Sequence, residues 1–146
     1  MEDTRERRLI AHGELEVSGG MAELPVIRRF LREFWNSLPS SPDRPEMIAQ
    51  LELAITEAVA NIVKHACAGR CDGTLRVRAE ACPDCISLQI HHGGGSFDPS
   101  SIPPPSFDGS REGGFGLYMM SQCMDEVSYL QDETGKNYTR LVKRWS

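Results

Sequence analysis

Leu51-Glu52-Leu53-Ala54-Ile55-Thr56-Glu57-Ala58-Val59-Ala60-Asn61-Ile62-Val63-Lys64-His65-Ala66 is the stretch on which the fold turns. Ile48, Leu51, Ile55, Val59, Ile62 and Ala66 recur at three- and four-residue steps, which predicts a helix with one continuous buried face. Asp43 suits its N-cap, Pro45 and Glu46 its first turn, and Ala68-Gly69 its end. A polar stripe runs beside the apolar one. Glu57, Asn61, Lys64 and His65 follow at i, i+4, i+7 and i+8, neighbours at about 100° per residue. Ala54, Ala58 and Ala60 leave space around them. A solvated helix face is the plainer account of such a stripe. A Glu one turn from an Asn can also set a general base beside a ligand for a hard cation such as Mg²⁺.

Upstream of this helix, Leu9 to Val17 partly alternates and predicts an edge strand. Ser18-Gly19-Gly20 ends it, and a helix follows from Met21 or Ala22. Leu24, Ile27, Phe30, Leu31, Phe34 and Leu38 give that helix its apolar stripe. Downstream, Thr74–Ala81 and Ile86–His92 predict a β-hairpin closed by Cys82-Pro83-Asp84-Cys85. Gly93-Gly94-Gly95 then opens a stretch of about twenty residues stiffened by Pro99, Pro103, Pro104 and Pro105, long enough to be a functional lid or disordered. Gly113-Gly114-Phe115-Gly116 closes it and leads into a short helix, Leu117 to Cys123. Strands near Glu126–Gln131 and Tyr138–Lys143 complete the chain. The elements predict an α+β sandwich, a mixed and mostly antiparallel sheet covered on one face by helices.

The chain's 146 residues are expected to form a single domain, residues 1–146. Sixteen Lys+Arg against twenty-one Asp+Glu give a net charge of -5, which lacks the basic footprint of a nucleic-acid binder. No run approaches the ~20 apolar residues of a membrane-spanning helix, and the N-terminus is charged with no apolar segment after it. The expected compartment is the cytoplasm, with no membrane or nucleic-acid partner. Cys67 and Cys71, with Cys82 and Cys85, have the look of a split zinc site. The intervening strand spans roughly 26 Å and puts the two pairs at opposite ends, which favours thiols in turns over a shared metal.

In order, these pieces resemble a known family. Residues 51–66 resemble the N box of bacterial anti-sigma-factor serine kinases, members of the ATPase superfamily that includes DNA gyrase, sensor histidine kinases and MutL. Gly94 with Phe97-Asp98-Pro99 is similar to the end of the family's first glycine box. Gly113-Gly114-Phe115-Gly116-Leu117-Tyr118-Met119-Met120, followed by Met124-Asp125-Glu126-Val127, is similar to the second. Thr139-Arg140-Leu141-Val142-Lys143 is similar to the last strand, and the resemblance covers about residues 22–145.

That resemblance implies a Bergerat-type ATP-binding sandwich and a kinase acting on a serine of a partner protein. Glu57 would match the general base and Asn61 the Mg²⁺ ligand that bridges to the ATP phosphates. Lys64, His65 and Thr139 would join the nucleotide site. Gly94 would lie by the adenine, Gly114 and Gly116 by the phosphates, and residues 98–112 would form the lid. Implied partners are a sigma factor and an anti-sigma-factor antagonist of the STAS type, with a homodimer as a further possibility. The family's adenine-reading aspartate is replaced by His92, placed by counting back from Phe97 and by the shared parity of Ile86, Leu88, Ile90 and His92. A neutral imidazole has one acceptor nitrogen where a carboxylate has two oxygens. This substitution keeps a rival open: a binding module of the same fold that captures partners without nucleotide. A sensor histidine kinase fragment fits less well, since no dimerisation helix with a phospho-accepting histidine precedes the domain.

Overall fold

The computed structural model describes residues 9–18, 20–39, 45–67, 73–93 and 115–145, with the side chains of 65–67 and 115 excepted. Among these residues five strands form one sheet: β1 (Ala11–Val17), β2 (Leu75–Cys82), β3 (Cys85–His92), β4 (Glu126–Gln131) and β5 (Asn137–Arg144). Three helices accompany them: α1 (Leu24–Ser37), α2 (Pro45–Asn61) and α3 (Phe115–Cys123). The strands lie in the order β1-β2-β3-β5-β4, and each neighbouring pair is antiparallel. The mixed sheet expected from sequence is thus antiparallel throughout its described residues. β1 is an edge strand, as the partial alternation of Leu9 to Val17 suggested.

Helix α2 buries Met47, Leu51, Ala54, Ile55, Ala58 and Val59. The apolar face is therefore wider than the periodic set, and Ala54 and Ala58 belong to the core rather than to free space around the polar stripe. Leu51 and Ile55 have no exposed surface, and truncating either to Ala costs roughly 2–5 kcal/mol. The helix does not continue regularly to Ala68-Gly69 as expected. At Ile62 it widens into a π turn, Ile62–Cys67. Asp43 and Ala68-Gly69, its expected caps, lie outside the described residues.

Helix α1 is entered through a short 3₁₀ turn, Met21–Glu23, and carries a Pro in its first turn, where the missing N–H costs no helical hydrogen bond. Its stripe buries Leu24, Ile27, Leu31 and Phe34 as expected, and Trp35 joins them. Trp35 meets Trp145 edge to face at 5.3 Å, fastening the helix to the chain just past β5. Gly13 in β1 makes room for this layer: a Cβ there would touch the Phe34 ring at 3.4 Å and the Phe30 ring at 3.5 Å.

The helices cover one face of the sheet, where Leu75, Val77, Ala79, Ile86, Leu88, Ile90 and Leu141 complete the core. On the other face charges pair across β1 and β2, with Glu14 accepting from Arg78 at 2.8 Å. The sheet has two unlike ends. At one, the two-residue turn Pro83-Asp84 joins β2 to β3 and is pinned by Trp145 N–H donating to Asp84 O at 2.8 Å. Cys82 and Cys85 stand opposite each other there, both buried. The side chains of Cys67 and Cys71 lie outside the described residues. At the other end β3 finishes at His92.

Candidate functional site

Glu57 and Asn61 project from the last full turn of α2. Both are half-buried, and the Asn61 side-chain amide nitrogen is enclosed without a hydrogen-bond partner. Such a group costs roughly 1–3 kcal/mol in an inert core, so its retention calls for an explanation. The π turn starts at the next residue. It breaks the even angular step on which the polar stripe depended, so the stripe ends at Asn61. Lys64 is exposed, and the His65 side chain lies outside the described residues. A π turn inside a helix leaves backbone groups in changed register and is frequent at functional sites.

Helix α3 packs against this end of α2. It begins at Phe115 rather than Leu117, which places Gly116 inside its first turn instead of in a loop before it. The reason for glycine there is steric. A Cβ on Gly116 would overlap Glu57 Oε2 outright and stand 3.0 Å from Glu57 Cδ. The carboxylate is thus seated against the α3 backbone at the helix end whose dipole attracts negative charge. Gly116 and Glu57, 59 residues apart in sequence, form one cradle. Gly94, Gly114 and the expected lid, residues 98–112, lie outside the described residues.

The third component sits at the end of β3. His92 is only 3% exposed, on the helix-covered face that parity predicted. It borders a cavity of about 180 Å³ with Tyr129, Leu130, Gln131, Asn137 and Thr139. Register explains the grouping. His92 pairs with Asn137, and Asn137 with Gln131, while Ile90 pairs with Thr139, and Thr139 with Tyr129. Burial pushes the Tyr129 phenol up to about 12, so it stays protonated near neutrality. Of these, His92 and Thr139 were candidates from sequence, whereas Tyr129, Gln131 and Asn137 were not. Folding the β4–β5 hairpin about its turn and marking the inward positions would have found them.

Behind His92, on the opposite face, His91 stacks on Tyr138 with ring centroids 4.5 Å apart. Its Nε2 lies 3.0 Å from Gln89 Oε1 and its Nδ1 3.6 Å from Asp132. Burial, aided by the charges of Arg78 and Arg76, holds the imidazole below its usual value, and Asp132 only partly opposes this.

The donor set suits Mg-ATP in character. Mg²⁺ is commonly bound by one or two protein oxygens plus phosphates and water; the Asn61 side chain has one such oxygen, and its enclosed, unpartnered nitrogen is a donor suited to a phosphate oxygen. Among the described residues no cluster of three or more His, Cys, Asp or Glu side chains could hold a metal without such help. The cavity beside His92 carries no charged residue along its described walls, which suits a neutral ring rather than a phosphate.

A family model for the histidine kinase-like ATPase domain matches residues 18–143. The chain belongs to this family. It is also similar to the serine-protein kinase RsbW of Listeria innocua, 33% identical over 96 residues, covering 60% of this chain and 61% of that protein. A serine-protein kinase RsbW of Staphylococcus aureus strain MRSA252 is 34% identical over 107 residues, 66% of this chain and 67% of the relative. The likeness to anti-sigma-factor serine kinases drawn from the motifs is borne out by both findings. The match spans less than two thirds of the Listeria relative's length. Among the described residues no helix is long and apolar enough to cross a membrane.

Proposed function

We propose that this protein is a regulatory serine kinase that phosphorylates an antagonist protein and, in a partner-switching circuit, holds a sigma factor. The observation that carries this is the seating of Glu57 against Gly116, with Asn61 one turn further along α2. When bound, ATP supplies the phosphoryl group and Mg²⁺ offsets its charge, so the protein's part is positioning and electrostatics. Glu57 takes the proton from the attacking serine hydroxyl. Gly116 keeps that carboxylate in place by having no side chain to displace it. Asn61 offers its amide oxygen to the metal, while His92 and Thr139 border the base. Gly94 and Gly114 would approach adenine and phosphates by backbone, and residues 98–112 would cover the bound nucleotide.

The decisive experiment is titration of the purified protein with Mg-ATP and ADP, followed by transfer of labelled phosphate to a STAS-type antagonist. Micromolar nucleotide binding with serine phosphorylation is the expected result. Partner capture with no nucleotide binding would instead favour a module that works by binding alone, a reading kept alive by the buried imidazole of His92.

A further inference from the structure

We propose that the side-chain amide of Asn137 reads adenine in this protein, doing beside His92 the work a carboxylate would otherwise do; this rests on the nucleotide-binding function proposed above. Three observations lead to it. The cavity at the end of β3 holds about 180 Å³, less than the ~300 Å³ at which pockets for whole drug-sized ligands begin, so it takes one ring system. Its described walls are uncharged, with Tyr129 and Leu130 supplying apolar surface and a phenol that does not ionise near neutrality. Asn137 is one of its lining residues, paired across the sheet with His92 on one side and Gln131 on the other. Directly paired side chains have Cβ atoms roughly 4.5–5.5 Å apart, so the amide and the imidazole can reach the same ring.

Hydrogen-bond chemistry selects the base. An amide presents one acceptor beside two donors, and adenine answers with an amino donor next to a ring acceptor; Asn and Gln pair with adenine in this bidentate way. Guanine carries a carbonyl acceptor where adenine carries its amino donor, so an amide set to accept from adenine faces it oxygen to oxygen unless the amide turns over. Between the two amides Asn137 is the better placed. Gln131 is exposed, at the last position of β4 beside the turn. Asn137 is half-buried at the first position of β5, directly opposite His92.

The test compares calorimetric binding of ATP, GTP and purine riboside triphosphate, which lacks only the 6-amino group, to wild type, Asn137→Ala and Asn137→Leu. Wild type should prefer ATP over either analogue by about tenfold, the worth of one good hydrogen bond in an enclosed site. Asn137→Ala should bind ATP and purine riboside triphosphate equally, at the weaker wild-type value. Asn137→Leu, which keeps the volume, should do the same, so a loss of folding in the Ala variant leaves the test intact. Full preference for ATP in a folded Asn137 variant overturns the assignment while leaving nucleotide binding standing. Absence of any nucleotide binding by wild type overturns the function itself and this inference with it.

Discussion

The two ends of the candidate site are built on different terms. At the α2–α3 end, Glu57, Asn61 and Gly116 fall in the stretches that resemble the family's motifs, and Glu57 meets Gly116 in one steric fit. At the β3–β5 end, the position that the resemblance assigns to a carboxylate holds His92, and around it stand two amides and a phenol, Gln131, Asn137 and Tyr129, that no motif singled out. The roles proposed for the first end, proton removal and metal binding, admit few side chains. The second can change because a planar base can be recognised through several sets of donors and acceptors. Chemistry constrains one end, shape the other.

The sharpest way to break this contrast is at Glu57. Glu57→Gln keeps the shape but cannot accept the serine proton, so antagonist phosphorylation should fall by about 10²–10⁴-fold while ATP and partner binding stay within a fewfold. An unchanged rate, measured with labelled ATP, would remove Glu57 from the chemistry. Gly116→Ala comes next. The added methyl must displace the carboxylate or α3, and a misplacement of about 1 Å costs on the order of 10²-fold. Its ATP affinity, read in parallel by calorimetry, should change much less.

Asn61→Ala should lose the Mg²⁺-dependent share of ATP affinity, about tenfold, measured as the difference between titrations with Mg²⁺ and with EDTA. Its melting temperature should hold, since the truncation also removes an enclosed, unpartnered N–H group. At the other end, His92→Asp should raise ATP affinity by about tenfold over GTP through a charge-assisted bond to the adenine amino group. No gain in that variant, with ATP binding intact, would mean the base is already fully read by its neighbours.

The smallest effect lies behind the cavity at His92. His91 is held below its ordinary value in the folded chain, so the unfolded chain binds more protons there as pH drops below about 6.5. Stability should fall with falling pH through the folded value. His91→Gln should remove that part of the slope in urea titrations at about pH 7.5 and pH 5.5. The groups that share its surroundings, Arg76, Arg78, Asp132 and Lys136, should leave the wild-type slope shallow.

How much of this was legible in sequence follows from what each element depends on. The α2 face and the β2–β3 hairpin are local patterns, and residues 45–61 and 75–92 follow them closely. The π turn after Asn61 was not legible, because it changes the helix's step without changing its composition. Gly116 could be tied to Glu57 only through the packing of α3 on α2, which no spacing encodes. Trp35 lies beside the periodic stripe and is buried by Trp145, far along the chain. Asn137 is the instructive miss: a polar residue at the start of a strand looks like turn chemistry until register sets it opposite His92.

Gly116 has a thermodynamic consequence of its own. Helix α3 is nine residues long, below the ~12–15 at which an isolated helix becomes marginal in water, and a glycine in its first turn weakens it by up to about 1 kcal/mol relative to alanine. It is therefore held helical by its neighbours rather than by itself. A segment of this kind opens locally at a free energy well below that of global unfolding. The amides of residues 117–123 should exchange with solvent far sooner than those of β3, and whatever settles in the cradle beside Glu57 should slow them. The same missing methyl that seats the base thus makes α3 a built-in reporter of occupancy, readable by hydrogen exchange in a protein with no label attached.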